Sequence, residues 1–121
     1  MDMLSKFLQT DLNIEKPVYL KRIDGELIVK AIDSKTLTRL QAQATHGKEM
    51  DEQLFGAVLV SHACTNMDFG DTKMLEKFEA SDAADCVQKC LLAGEVLKLV
   101  NAIMEVSGFN DMTTQVEESK N

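Results

Sequence analysis

The segment from Pro17 to Ile32, PVYLKRIDGELIVKAI, carries the clearest structural signal in this chain of 121 residues. Apolar and polar side chains alternate in both of its halves, which is typical of strands with one buried face. The Asp24-Gly25 pair between the halves favours the type I′ turn that joins paired strands. We therefore predict a β-hairpin over residues 17–32, opened by Pro17 where a missing N–H costs least.

A two-residue turn at Asp24-Gly25 would set the register of this hairpin. It pairs Ile23 with Glu26, Lys21 with Ile28 and Tyr19 with Lys30. An isolated hairpin is only marginally stable in water, so its apolar face should pack on helices or on another chain. That face carries Val18, Leu20, Leu27, Val29 and Ala31.

Beyond Ile32 the spacing of apolar residues changes to about 3.6, the period of an α-helix. Residues of the type that caps helices recur at the expected starts. The helix after Asp51 is apolar almost all round, so we expect it to be central. Glycines should end two helices, near Gly47 and at Gly108, and Gly94 should mark a bend or a close helix contact. The expected caps are Asp33 or Ser34, Asp71, and Ser81 or Asp82, while Asp51 and Glu52 should start a helix whose dipole favours acidic residues in the first turn.

These patterns predict an α+β fold that is mostly α. A two-stranded N-terminal hairpin, residues 17–32, precedes a bundle of about five helices in residues 33–109. Residues 1–16 form an N-terminal arm that is either a short helix or mobile. We expect residues 17–111 to make a single domain and residues 112–121 to be a flexible polar tail.

The formal net charge of −7 argues against two classes of partner. Nucleic acids and anionic membranes attract clustered Lys and Arg, which the chain lacks. Residues 1–48 hold eight basic and six acidic residues, whereas residues 49–121 hold five basic and fourteen acidic residues. The acidic part either keeps the protein soluble or steers a basic partner. Three cysteines, an odd number, and no secretory pattern at the start favour a reducing cytoplasm.

No catalytic motif is present in the sequence. It has neither a glycine-rich phosphate loop nor a G-x-S-x-G elbow. His62 and Cys64 lie two apart on a helix and so point in different directions. Together with Cys86 and Cys90 they could in principle bind zinc, but their spacing is not that of a zinc finger. We predict core cysteines, no enzyme, no metal and no cofactor.

The chain has seven methionines, a residue that fills awkward cores or makes adaptable binding surfaces. Most fall among helical apolar positions, which favours core filling. Met50, Met67 and Met112 lie near the ends of elements and could instead contact a partner.

Three segments carry a family resemblance. KRIDGELIVKAI at residues 21–32 resembles the N-terminal hairpin of the XkdN-like phage tail assembly chaperones. CLLAGE at residues 90–95, then Leu99 and EVSGFND at residues 105–111, resemble their C-terminal L-x-A-G-E and S-G-F signature. The resemblance covers roughly Pro17 to Asp111, and the order of elements also matches.

The resemblance implies a chaperone that acts in the host bacterial cytoplasm and is absent from the finished virion. Its partners would be the phage tape measure protein, whose helices it keeps soluble, and the major tail tube protein. No nucleic acid or membrane is expected, while a hairpin edge can pair with a second copy into a homo-oligomer. The alternatives are a structural minor tail or connector component and a small metal-dependent regulator.

Six residues are candidates for partner binding. Four belong to the hairpin: Tyr19, Lys21, Ile28 and Lys30. Gly94 and Glu95 belong to the shared motif. A structural interpretation of the last two is favoured, in which Gly94 permits a tight bend and Glu95 begins the last helix near its positive end.

Overall fold

The computed structural model describes residues 2–109. Within them it has the predicted α+β, mostly α architecture, with a two-stranded hairpin followed by five helices. The predicted tail, residues 112–121, lies outside the described residues. The elements are α1 (Met3–Leu8), β1 (Glu15–Leu20), β2 (Gly25–Lys30), α2 (Ser34–Gln43), β3 (Thr45–His46), β4 (Glu49–Met50), α3 (Glu52–Ala63), α4 (Thr72–Phe78), α5 (Ala83–Cys90), α6 (Ala93–Met104) and a wide π-helical turn (Glu105–Phe109).

Four helices after the hairpin, α2 to α5, begin at aspartates, as predicted. In each case the carboxylate accepts a backbone N–H of the first turn, which would otherwise lack a partner. The choices left open are settled as Asp33 rather than Ser34 and Asp82 rather than Ser81. The bonds run from Thr36 to Asp33 (2.8 Å), Leu54 to Asp51 (3.1 Å), Lys73 to Asp71 (2.8 Å) and Asp85 to Asp82 (2.8 Å).

The predicted register of the hairpin is wrong. Tyr19 lies opposite Glu26 rather than Lys30, and β1 begins at Glu15, two residues before Pro17. The shift is an even number of residues, so every side chain stays on its predicted face. Val18, Leu20 and Val29 are accordingly buried, and Leu27 and Ala31 are half-buried.

The register differs because the turn has four residues, Lys21 to Asp24. Asp24 alone takes a positive φ, 52°, while Gly25 starts β2. Aspartate tolerates this left-handed conformation better than most residues. Here its carboxylate also accepts a hydrogen bond from the Tyr19 hydroxyl at 2.8 Å. A type I′ turn would need positive φ at both central residues.

The core is built around α3, as expected from its apolar sequence. Five consecutive residues of this helix, Gly56 to Val60, are buried. It packs against α2, α5, α6 and β2, while β1 and β2 also lie against α6. Leu59 of α3 and Leu99 of α6 are completely buried. The hairpin thus obtains from α3 and α6 the support that two strands lack alone.

Four local predictions need correction or completion. Residues 3–8 form the short helix α1, one of the two alternatives for the arm. Gly47 does not end α2, which stops at Gln43, but turns the small β3–β4 hairpin with φ of 66°. α6 ends at Met104, and Gly108 closes the following wide turn with φ of 97°. Gly94 makes no close contact, because a Cβ there would meet nothing within 4 Å.

Candidate partner-binding surface

The tip of the hairpin is fixed to the start of α6 by one side chain. The Arg22 guanidinium donates to both carboxylate oxygens of Glu95, at 2.9 and 2.7 Å, and to the Cys90 carbonyl at 3.1 Å. Glu95 also accepts the Leu92 backbone N–H at 2.7 Å. This bidentate arrangement is the strongest hydrogen-bond geometry that an arginine and a carboxylate can form. It raises the pKa of Arg22 and, with the Leu92 bond, lowers the pKa of Glu95.

A second set of contacts fixes the base of the hairpin. The Ser107 hydroxyl accepts the Ile32 N–H at 3.0 Å and donates to the Ile103 carbonyl at 2.6 Å. Lys16 and Glu105 form an ion pair nearby at 2.7 Å. Glu95 and Ser107 come from the two halves of the C-terminal signature, so that signature holds both ends of the hairpin.

Three of the six candidate residues line one shallow hollow at this tip. Lys21, Gly94 and Glu95 border it between the hairpin and the first turn of α6, and Tyr19 is linked to it through its main-chain carbonyl. The Lys98 ammonium closes one side by donating to the Tyr19 carbonyl at 2.5 Å. The bond to Asp24 raises the pKa of the Tyr19 phenol. The Glu95 carboxylate is already satisfied by Arg22 and Leu92, so its role here is to position the tip.

Ile28 and Lys30 lie elsewhere. The Ile28 N–H donates to the Asn66 side-chain oxygen at 2.8 Å, and the Ile28 carbonyl accepts the Thr65 N–H at 2.8 Å. Together with a bridge from Val29 to Cys64, these bonds cover the free edge of β2. Lys30 borders a separate polar hollow that contains His62.

The outer edge of β1 offers few groups for pairing with another strand. Pro17 lies opposite Ile28, and the backbone N–H and C=O of Ile28 point away from β1. The two residues therefore form a pair without mutual hydrogen bonds, and the backbone groups of Pro17 point away from β2. Proline has no N–H to donate there, and the Tyr19 carbonyl is taken by Lys98. Edge strands that must not pair are often blunted in this way.

Beside the tip lies an apolar groove of about 350 Å³. The residues that line this apolar groove are Arg22, Ile23, Leu27, Met67, Phe69, Met74, Lys77, Phe78, Cys90 and Leu91. Its two charged members are both cations, in a chain of net charge −7. Arg22 belongs to both this groove and the tip. One residue of this groove was indicated by the sequence. The high methionine content suggested Met67 as a possible partner contact, and Met67 lines the groove.

The N-terminal arm also presents apolar side chains to solvent. No residue of α1 is buried, and Met3, Leu4, Phe7 and Leu8 are 61–76% exposed. Single exposed apolar residues are ordinary, but four on one short helix form an unpartnered face. This face was not predicted from the sequence, because polar and apolar residues are mixed in the arm.

The cysteines lie in apolar surroundings, as predicted. Cys64 and Cys86 are buried and Cys90 is half-buried. Burial raises the pKa of Cys64 to about 12 and is the main reason that the pKa of Cys90 rises to about 11. Such thiols stay protonated and are poor nucleophiles and ligands. Within residues 2–109 no three His, Cys, Asp or Glu side chains cluster closely enough to hold a metal ion.

Two further findings concern membrane-spanning helices and the relation of this fold to a solved structure. Among the helices of residues 2–109, none combines the length and apolar character that crossing a membrane requires. The fold is shared with a solved structure, the crystal structure of the protein yqbn, at a TM-score of 0.69. That chain is 24% identical, and the similarity covers 90% of this chain and 98% of the other, which shows the fold alone. No curated protein matches the sequence significantly.

The family comparison goes further than the structural one. The family model described as phage XkdN-like tail assembly chaperone protein matches residues 4–120, nearly the whole chain. The match includes the hairpin and the C-terminal signature whose residues Glu95 and Ser107 hold it in place. The chain belongs to the family of phage XkdN-like tail assembly chaperones.

Proposed function

We propose that this protein binds the phage tape measure protein in the host cytoplasm and promotes assembly of the tail tube around it. Family membership supports a role in tail assembly. The observation that carries the proposed mechanism is the apolar groove beside the hairpin tip. A binding chaperone needs exposed apolar surface on a rigid frame, and this groove provides both.

The groove suits one apolar face of a client helix. Helices bind such grooves through side chains spaced three and four residues apart. Met67 and Met74 can adapt to client side chains of different shape, because methionine is unbranched and flexible. Lys77 at the wall favours an acidic residue on the flank of that helix, whereas the charge of Arg22 is already offset by Glu95. The hollow around Lys21 and Gly94 adjoins the groove and would extend the contact.

Within this proposal the protein is a chaperone without enzymatic activity, and it leaves before the virion is complete. The raised pKa values of Cys64 and Cys90 make these two thiols weak nucleophiles, so neither is suited to covalent catalysis. The major tail tube protein would be a second partner, recruited to the chaperone-coated tape measure. Ile28 and Lys30, which lie apart from the groove, are proposed contacts for that second partner.

Co-expression with the tape measure protein of the same phage tests the proposal. We expect the chaperone to raise the soluble yield of that protein and to co-purify with it. Ile23→Glu should abolish both effects, because it places a charge on the groove wall at a side chain that is 53% exposed and not needed for folding. Leu97→Glu is the matched control, a 60% exposed apolar position on α6 outside the groove. Unchanged yield and no co-purification with the wild-type protein would reject the proposal.

The alternative is a structural minor tail or connector component. Mass spectrometry of purified virions separates the two functions. A structural component is present in a fixed copy number, whereas the proposed chaperone is missing.

A further inference from the structure

Helix α4 forms one rim of the apolar groove. Met74, Lys77 and Phe78 line the groove and are spaced by three and four residues, so one face of this helix is turned towards it. Lys73 lies four residues before Lys77, one helical turn away, and therefore follows the same edge of that face. Both lysines are exposed. Two cations thus run along this side of the groove.

The two lysines are free to pair with a partner. Glu76 lies about 60° from Lys73 around the helix and about 160° from Met74, at roughly 100° per residue, so it is on the side away from the groove. Within residues 2–109 neither Lys73 nor Lys77 forms an ion pair with a carboxylate. Like charges four residues apart repel each other along a helix, and acidic groups of a partner would relieve this repulsion.

The aromatic ring of Phe78 restrains the Lys77 side chain. The distance from the Lys77 ammonium nitrogen to the centroid of the ring is 5.5 Å, within the range of a cation–π contact. Such a contact limits the rotamers of a long side chain, so less entropy is lost when the ammonium pairs with a carboxylate. The cation at this rim is therefore pre-positioned for binding.

On the hairpin side of the groove the one charge is already offset. Arg22 donates to both carboxylate oxygens of Glu95, and its neighbours in the lining, Ile23 and Leu27, are apolar. A helix in the groove therefore meets uncompensated cations on the α4 side. This asymmetry decides which flank of the helix is turned towards α4.

We propose that Lys73 and Lys77 select the segments that the groove accepts, namely amphipathic helices with two acidic residues, one turn apart, beside the apolar face. Carboxylates three or four positions apart match the spacing of the two ammonium groups along α4. Basic residues at the same positions would repel both lysines and exclude the segment. The inference rests on the proposed function, because it names the class of client helix that the groove takes.

Two designed helical peptides test the inference by fluorescence anisotropy with the full-length protein. The peptides share one leucine face and differ only on its flank, which carries either two glutamates or two lysines at helical spacing. The wild type should bind the acidic peptide about tenfold more tightly, since two exposed ion pairs replace two repulsions. The preference should shrink at about 1 M salt, where the screening length falls to about 3 Å.

Charge reversal at the rim gives the deciding result. Lys73→Glu/Lys77→Glu should prefer the basic peptide, whereas Lys73→Arg/Lys77→Arg should keep the wild-type preference. Lys35→Glu/Lys48→Glu is the matched control, because it changes the net charge equally at two exposed lysines outside the groove, and it should still prefer the acidic peptide. Equal binding of both peptides by the wild type overturns the inference. So does an acidic preference that survives in Lys73→Glu/Lys77→Glu or disappears in the control.

The inference and the proposed function can fail separately. If the tape measure protein co-purifies equally with the wild type and with Lys73→Glu/Lys77→Glu, selection by the two lysines is refuted and the proposed function stands. If the wild type distinguishes the peptides as expected but does not bind the tape measure protein, the selectivity stands and the proposed client is wrong. A wild-type protein that binds neither peptide refutes the inference.

Discussion

The Arg22 guanidinium and the Glu95 carboxylate, 73 positions apart in sequence, form two parallel hydrogen bonds of 2.7 and 2.9 Å. Through this pair the hairpin tip is attached to the junction of α5 and α6. It also forms the boundary between the hollow at the tip and the apolar groove. Arg22 therefore contributes to the position of both surfaces.

Replacing Arg22 should release the tip without unfolding the domain. Arg22→Lys should behave almost like Arg22→Ala, because an ammonium group cannot form the bidentate pair with Glu95. Amide hydrogen exchange at Ile23 and Asp24 should accelerate in both variants. Lys21→Ala, at the exposed neighbouring position, is the control and should leave these rates unchanged. Slow exchange retained in Arg22→Ala would contradict the assigned role.

The same pair predicts a pH dependence. The folded-state pKa of Glu95 lies below its ordinary value of 4.5, first because of Arg22 and second because of the Leu92 N–H. Its contribution to stability is therefore complete above the ordinary value and is lost as the pH falls through the lowered one. Thermal unfolding of the wild type and Glu95→Gln should differ most at neutral pH and converge as the pH falls through the lowered pKa of Glu95. A difference that grows on acidification would refute this assignment.

Two leucines of α6 offer a direct test of the core. Leu99 is completely buried, whereas Leu97, two residues earlier on the same helix, is 60% exposed. Leu99→Ala should lower the free energy of unfolding by about 3 kcal/mol, since it leaves a cavity. Leu97→Ala should change it by less than about 0.5 kcal/mol. Urea denaturation measures both, and similar values for the two variants would argue against the packing described.

Asn66 should matter more than a loop residue usually does. Its side chain accepts the Ile28 N–H at 2.8 Å and donates to the Glu26 carbonyl at 2.9 Å, completing the edge of β2. Asn66→Ala should cost about 1–2 kcal/mol of unfolding free energy and speed amide exchange at Ile28. Asn101→Ala, at an exposed asparagine of α6, should leave both measurements near the wild-type values.

Two glycines should respond to alanine in opposite directions. Gly94 lies in the first turn of α6 with open space around it, so Gly94→Ala should stabilise the helix by up to about 1 kcal/mol. Gly108 has φ of 97°, a conformation that alanine adopts only under strain, so Gly108→Ala should destabilise by about 1 kcal/mol or more. Thermal unfolding distinguishes the signs. If Gly94→Ala is stable but loses the tape measure protein, Gly94 is a contact residue.

Much of the fold follows from local chemistry. Each aspartate cap is decided within three residues by the reach of its carboxylate, which is why the starts at Asp33, Asp51, Asp71 and Asp82 were predictable. The hairpin faces depend only on the period of two, so Val18, Leu20 and Val29 were placed correctly despite the wrong register. Family membership follows from the same sequence segments.

The turn and the candidate surfaces could not be predicted in this way. Asp24-Gly25 is compatible with more than one turn, and the four-residue turn is accompanied by contacts from Cys90 and Glu95, far along the chain. The groove likewise collects side chains from β2, α4, α5 and the loop before α4.

The helix starts to within one residue, the buried faces of the hairpin and the family could be derived from the amino-acid sequence, because these depend on neighbours along the chain. The register, the role of Glu95, the groove and the exposure of α1 became visible in the folded chain. Those depend on which distant residues meet when the core closes, and hydrogen bonds such as Arg22 to Glu95 form only after α6 has packed against the hairpin.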